Sequence, residues 1–161
     1  MGIEKTWILT DRQLCDCEMI LDGSFSPLDR FMTHDDYNLV MEKMRLKSGE
    51  LFPIPIVLDV TEEFSQKIKI GEYISLRDKE GFIIAQMMIE SIWKPDFHKE
   101  ASTIYKTTDS SHPAVHYLFN SSYKMYIGGK IESVMKVRHY DYEKYRMGPE
   151  EVKNKIKALG W

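Results

Sequence analysis

The chain is poor in several residue types, and each shortage removes a class of protein. It has only two cysteines, Cys15 and Cys17. They are too close in sequence to staple distant segments, and at i, i+2 on a helix they point to different faces. Both read as reduced thiols. They do not read as half of a zinc site, because neither their own spacing nor a second Cys/His pair fits one. No apolar run approaches the ~20 residues that a membrane span needs. The N-terminus lacks a charged-then-apolar signal pattern, so a cytoplasmic location is the expectation. A basic excess is also missing. Lys and Arg number 22 against 25 Asp and Glu, for a net charge of −3, which argues against a dedicated nucleic-acid binder. There is no internal repeat and no low-complexity segment.

What remains is an ordinary globular balance, 43% hydrophobic and 29% charged. At 161 residues the chain fits one domain, or one domain with an appended helical piece, and can bury a real core.

The pattern along the chain is mixed. Residues 11–21 read as a helix, with Thr10 as N-cap, Gln13 completing a capping box and Gly23 as the stop. Ser26-Pro27 forces an extended or turning segment. A second helix fits 34–44, capped by Thr33 with Asp35 and Asp36 in its first turn. Residues 56–60 read as a strand, and Thr61 opens a short helix toward Lys67. Residues 73–76 and 82–92 form a predicted hairpin around the turn 78–81, the second strand bent by a bulge. Residues 97–105 fit a short helix, and His112-Pro113 opens another through Leu118. Lys124 to Val137, broken at Gly128-Gly129, reads as a second hairpin. Pro149 begins a last helix ending at Leu159. The class is therefore α+β: a helical lead over 10–45, a β core from about 55 to 138 and a C-terminal connector helix over 149–159.

Few residues suggest chemistry. His112 and His116 stand at i, i+4, the spacing of two metal ligands on one helix turn, with Asp109 as a third candidate. No fourth partner stands at a recognisable distance, so His112 reads as a cap packing its turn. Arg12, Asp16 and Glu18 form a local acid-base group, best read as a helix-surface ion pair between Arg12 and Asp16. Ser111, His112 and Asp109 are too local to make a nucleophilic triad. Gly128-Gly129 lacks the helix that follows a phosphate loop and reads as a turn or bulge, at backbone angles that a Cβ resists. Asn120-Ser121-Ser122 is a chance glycosylation tripeptide in a chain without a secretion signal. Aromatic and basic residues interleave from Arg138 through His139, Tyr140, Tyr142, Lys144 and Tyr145 to Arg146. This is the best candidate for a nucleic-acid or partner surface. Two acids in the run and the negative net charge weaken the nucleic-acid reading.

Several linked stretches, in order, resemble one enzyme family, the ATP sulfurylases (sulfate adenylyltransferases). They are Arg12-Gln-Leu-Cys-Asp16 followed by Gly23-Ser-Phe-Ser-Pro-Leu28 and Phe31-Met32, Pro53-Ile-Pro-Ile-Val-Leu-Asp-Val60, Gly71-Glu-Tyr-Ile-Ser-Leu-Arg-Asp78, Thr107-Thr-Asp-Ser-Ser-His-Pro113, Tyr126-Ile-Gly-Gly-Lys-Ile-Glu132 and His139-Tyr-Asp-Tyr142. The chain departs from the family pattern at Asp29-Arg30, where Thr-Gly or similar is usual, and at Cys17, where an aliphatic residue is common. The resemblance covers about Leu9 to Trp161 and implies a single PUA-like domain over 1–161, a β-barrel (pseudobarrel) decorated with helices at the N-terminus, between strands and at the C-terminus. In such enzymes this is the N-terminal, non-catalytic module. The resemblance runs out at Trp161, about where the catalytic domain should begin, so that domain is expected to be absent here. Its Gln-x-Arg-Asn-Pro and His-x-Gly-His stretches, which hold ATP and sulfate, do not occur in this sequence.

The resemblance therefore implies no catalytic, cofactor-binding or metal-binding residue in this chain. ATP, with magnesium, would be held in the catalytic domain of the full enzyme, a nucleotidyltransferase of sulfate assimilation. The expected partners are that catalytic domain and other copies in a homo-oligomer, with no membrane and no nucleic acid. The surface near Tyr140, Tyr142, Tyr145 and Trp161 would be covered in the intact enzyme. A stand-alone PUA-like module that binds RNA or a protein is the alternative.

Overall fold

The computed structural model describes residues 5–135 and 140–161. Six strands and six α-helices follow in the order β1 (Thr6–Ile8), α1 (Asp11–Leu21), β2 (Arg30–Phe31), α2 (His34–Lys43), β3 (Leu58–Val60), α3 (Glu62–Ser65), β4 (Tyr73–Arg77), β5 (Ile83–Trp93), α4 (Phe97–Glu100), α5 (Pro113–Asn120), β6 (Met125–Ser133) and α6 (Pro149–Ala158). A single π-helical turn, Ala101–Tyr105, continues α4. None of these helices is long and apolar enough to cross a membrane.

Local chemistry places the first helices. The Thr10 hydroxyl accepts from Gln13 N at 3.3 Å, and Gln13 Oε1 accepts from Thr10 N at 3.1 Å, so two orphan amides of α1 are satisfied together. Gly23 leaves α1 at φ 82°, as the stop requires. Thr33 and Thr61 cap α2 and α3 more simply, their hydroxyls accepting from Asp36 N and Phe64 N. The predicted turn at 78–81 forms around Asp78, whose Oδ1 accepts from Glu80 N and Phe82 N, with Gly81 at φ 94°.

The strands make one mixed sheet in the order β1-β4-β5-β6-β2, with β3 pairing the same edge of β6. Only β1 with β4 is parallel; the other pairs are antiparallel. The expected bulge in β5 lies between Ile89 and Ser91. No pairing joins β1 to β2 or β3 among the described residues, so the sheet is open where a closed barrel was expected. The reason lies in the edges. β2 and β3 are short, share β6, and give way at once to helix caps at Thr33 and Thr61.

The second predicted hairpin is not there. Met125–Ser133 is one continuous strand, and Gly128 and Gly129 lie within its ladder opposite Ser91 and Ile89. Neither glycine has a positive φ. Their role is close approach. A Cβ on Gly128 would overlap the Met32 carbonyl, and one on Gly129 would overlap the Met88 carbonyl. The predicted strand end at 136–137 lies outside the described residues. The predicted helix over 97–105 is α-helical to Glu100, whose carboxylate accepts from the Tyr37 hydroxyl, and π-helical from Ala101 to Tyr105.

The core lies between the sheet and helices α1 and α2. Leu9, Phe31, Met32, Leu58, Ile74, Leu76, Ile84, Met87, Ile89 and Ile127 are fully buried. Cys17 is buried with them and Cys15 is exposed; both are free thiols. By contrast, no residue of α6 is buried.

Candidate functional site

The described fold gathers its buried polar groups along one side of α1. Gln13, almost fully buried, donates through Nε2 to the Asp59 carbonyl at 2.8 Å and to Asp59 Oδ1 at 2.7 Å. Its Oε1 accepts from Trp7 Nε1 at 3.1 Å. Asp59 Oδ2 accepts from Tyr123 N at 2.8 Å. Every strong partner in this group is used, so it reads as structural cement between α1, β1, β3 and the start of β6.

One turn along α1 the situation changes. A cavity of about 280 Å³ opens between α1, the segment 54–57, the π-helical turn, α5 and β6. Arg12 and Asp16 line it from α1, Glu100 from the end of α4, Tyr105 from the π-helical turn, Tyr117 from α5 and Tyr126 from β6. Ile54, Ile56, Val57 and Leu118 supply apolar wall. Arg12 Nε stands 3.5 Å from Asp16 Oδ2, and the Arg12 guanidinium lies 4.9 Å over the Tyr117 ring. Asp16 Oδ2 is nevertheless buried without a well-formed hydrogen bond. Opposite it, the Glu100 carboxylate accepts from the Tyr37 hydroxyl at 2.9 Å and from the Tyr126 hydroxyl at 3.2 Å.

Burial sets the electrostatics. It pushes Asp16 above the ordinary carboxylate range, and the Arg12 charge offsets only part of that. Burial also raises Glu100, against the two tyrosine hydrogen bonds that favour its ionised form. The hydroxyls of Tyr37 and Tyr126 are pushed up by burial and by the neighbouring Glu100 charge. Burial works against the Arg12 charge, but Asp16, Asp59 and Tyr117 together outweigh it and its pKa lies above the usual value. A concave, part-apolar site with converging charges and displaced carboxyl titrations has the physical form of a small-molecule pocket.

The residues weighed from the sequence fall in different places. Arg12 and Asp16 do pair, but Asp16 is only 8% exposed and belongs to the cavity rather than to a surface ion pair. Glu18 points elsewhere, into a groove beside Asp22, Pro149 and Glu150. His112 is the N-cap residue of α5, its ring 5.4 Å from that of Tyr105. His116 faces Asn120, whose Nδ2 donates to the His116 carbonyl. Asp109 serves the turn, with Oδ1 accepting from Ser111 N and its carbonyl accepting from His112 N. Asn120 closes α5. Tyr140, Tyr142 and Tyr145 are exposed, while Arg138 and His139 lie outside the described residues. Glu100, Tyr105, Tyr117 and Tyr126 escaped sequence reasoning, because nothing local distinguishes them; only the tertiary fold brings them to Arg12.

The comparisons agree with this architecture. A family model described as a PUA-like domain matches residues 3–136. The chain is 41% identical over 156 residues to the sulfate adenylyltransferase of Schizosaccharomyces pombe, covering 96% of this chain and 32% of that protein. It is 43% identical over 157 residues to the sulfate adenylyltransferase of Phaeosphaeria nodorum, covering 96% of this chain and 27% of that protein. The chain thus spans less than a third of the length of these relatives. Among solved structures, the hexameric APS kinase from Thiobacillus denitrificans superposes with a TM-score of 0.71 at 25% identity, covering 98% of this chain and 27% of that chain. With the mixed sheet, its flanking helices and a family match across most of the sequence in agreement, the chain belongs to the PUA-like domain family.

Proposed function

We propose that this chain is the N-terminal, non-catalytic domain of a sulfate adenylyltransferase. The whole enzyme joins ATP and sulfate into adenosine 5′-phosphosulfate and releases pyrophosphate in sulfate assimilation. The observation that carries the reading is a combination. Identity of 41% and 43% runs through 96% of this chain, yet the match takes up under a third of each relative. In this reading residues 1–161 form a single PUA-like domain that acts as a cytoplasmic scaffold. It packs on the catalytic domain and helps assemble the oligomer, while ATP with magnesium is held by the catalytic domain.

Two features support the scaffold role. The last helix and its C-cap residue offer Val152, Ile156 and Leu159 at helical spacing without burying any of them, and Trp161 beyond is 85% exposed. The structural neighbour is itself a hexameric assembly, of which this fold takes up 27% of the chain. Adenylyl transfer needs groups that stabilise charge developing on a phosphoryl centre. The sequence carries neither of the family's ATP- and sulfate-holding stretches, so the chain alone is inactive in this reading. The test is amide exchange across Glu150–Leu159, with and without the separately expressed remainder of the S. pombe enzyme. Fast exchange in the isolated chain that slows on mixing supports the reading. Protection in a dilute monomer equal to that of β5 refutes it.

A further inference from the structure

We propose that the cavity bounded by Arg12, Asp16, Glu100 and Tyr117 is a binding site for a small free α-amino acid with an aliphatic side chain. The argument rests on how charge is layered with depth. Both acids lie inside: the Asp16 side chain is 11% exposed and Glu100 is 6% exposed. The one cation sits outermost, the Arg12 side chain being 42% exposed. A simple anion entering this site meets two carboxylates behind the guanidinium. A simple cation must pass the guanidinium first. A zwitterion satisfies both layers, its ammonium reaching inward to the acids and its carboxylate meeting the Arg12 fork at the mouth.

Two further observations fit that ligand. Asp16 Oδ2 is buried and faces Arg12 Nε at 3.5 Å without a well-formed hydrogen bond, so an ammonium would supply a second charged donor to an acceptor that the guanidinium leaves incompletely satisfied. The volume of about 280 Å³ lies just below the ~300 Å³ at which pockets for drug-sized ligands begin, which suits a smaller ligand of amino-acid size. The wall from Ile54 to Val57, with Ala114 and Leu118 facing it, offers the remaining surface to an aliphatic chain. Glu100 keeps its place through the Tyr37 and Tyr126 hydroxyls, so the inner acid is positioned before any ligand arrives.

The experiment is a calorimetric titration of the chain with L-leucine, paired with ligand-observed saturation-transfer NMR. Two analogues run beside it. Leucinamide keeps the ammonium and loses the carboxylate; 4-methylpentanoate keeps the carboxylate and loses the ammonium. The expected result is saturable binding of leucine, with each analogue weaker by about tenfold or more. Arg12→Gln should weaken leucine by a similar factor and leave leucinamide unchanged. Ala114→Phe, which puts a ring into the cavity from α5, should abolish binding; a thermal melt shows whether that variant is folded, and Arg12→Gln carries the test if it is not. Leucinamide binding as tightly as leucine overturns the proposal. So does leucine binding that survives a folded Ala114→Phe, and so does the absence of saturable binding up to millimolar leucine.

Discussion

Gln13 on α1 grips Asp59 on β3 twice, at the main-chain carbonyl and at the side-chain carboxylate, 2.8 and 2.7 Å away. The same Gln13 closes the capping box of its own helix and holds the Trp7 indole. One side chain therefore fixes the start of α1 against both β1 and β3. Gln13→Ala leaves the Trp7 donor and two Asp59 oxygens, the carbonyl and Oδ1, without this partner in a dry interior. The expected loss is about 2–4 kcal/mol, read from urea midpoints. A loss under about 1 kcal/mol would show that solvent replaces these bonds without cost.

The glycine pair in β6 makes a prediction about space rather than backbone angle. Gly129→Val drives a side chain into the Met88 carbonyl, and relief requires β5 and β6 to part. It should destabilise by about 2 kcal/mol or more. Gly148→Ala is the control, since a Cβ there meets nothing and its φ is −71°. That change should lie within about 0.5 kcal/mol of the wild type. Equal midpoints for the two variants would contradict the close-approach account.

Glu100 gives a pH dependence with a definite sign. Burial places its folded pKa above the unfolded one. Its stabilising contribution is present in full below the unfolded value and is lost as pH rises through the folded value. Glu100→Gln retains an acceptor for the Tyr37 and Tyr126 hydroxyls but does not titrate. The stability difference, variant minus wild type, should therefore move in the variant's favour with rising pH, by about 1.4 kcal/mol per pH unit within that window. Asp16 is raised as well, but it is present in both proteins and cancels. Denaturant midpoints at about pH 5 and about pH 8 decide it, and a pH-independent difference would contradict the assignment.

The two cysteines should separate cleanly by reactivity. Burial, helped by Asp16 and Glu18, pushes the Cys17 thiol up to about 12, whereas Cys15 is exposed. A thiol reagent near neutral pH should modify Cys15 in the native protein and Cys17 only after denaturation. Modification of both at one rate in the folded state would mean that α1 opens readily.

What was legible in the sequence was local. The capping box of Thr10 and Gln13, the Gly23 stop, the Asp78–Gly81 turn and the β5 bulge depend on neighbours within a few residues, and the structure places each where the pattern predicts it. The family resemblance was legible for the same reason, through contiguous motifs. Gly128-Gly129 misled because a turn and a close backbone crossing both demand glycine, and the crossing partners, Met32 and Met88, are distant in sequence. Asp16 misled likewise. Its spacing to Arg12 announced an ion pair, and the pair is there, but Asp16 is buried beside a cavity that α5 and the π-helical turn also line, and no local pattern ties those elements to α1.

If this domain serves as the scaffold of a sulfate adenylyltransferase, as proposed, it should work in place of the matching region of a relative. The matching region of the S. pombe enzyme, which takes up 32% of that protein, is replaced by residues 1–161 of this chain. Pyrophosphate release from ATP and sulfate is then measured beside the isolated chain and the truncated enzyme. The account predicts that the exchanged enzyme assembles and turns over, that the isolated chain is indistinguishable from a blank, and that the truncated enzyme is impaired. An exchanged enzyme that folds but neither assembles nor turns over would contradict the account, as would turnover by the isolated chain.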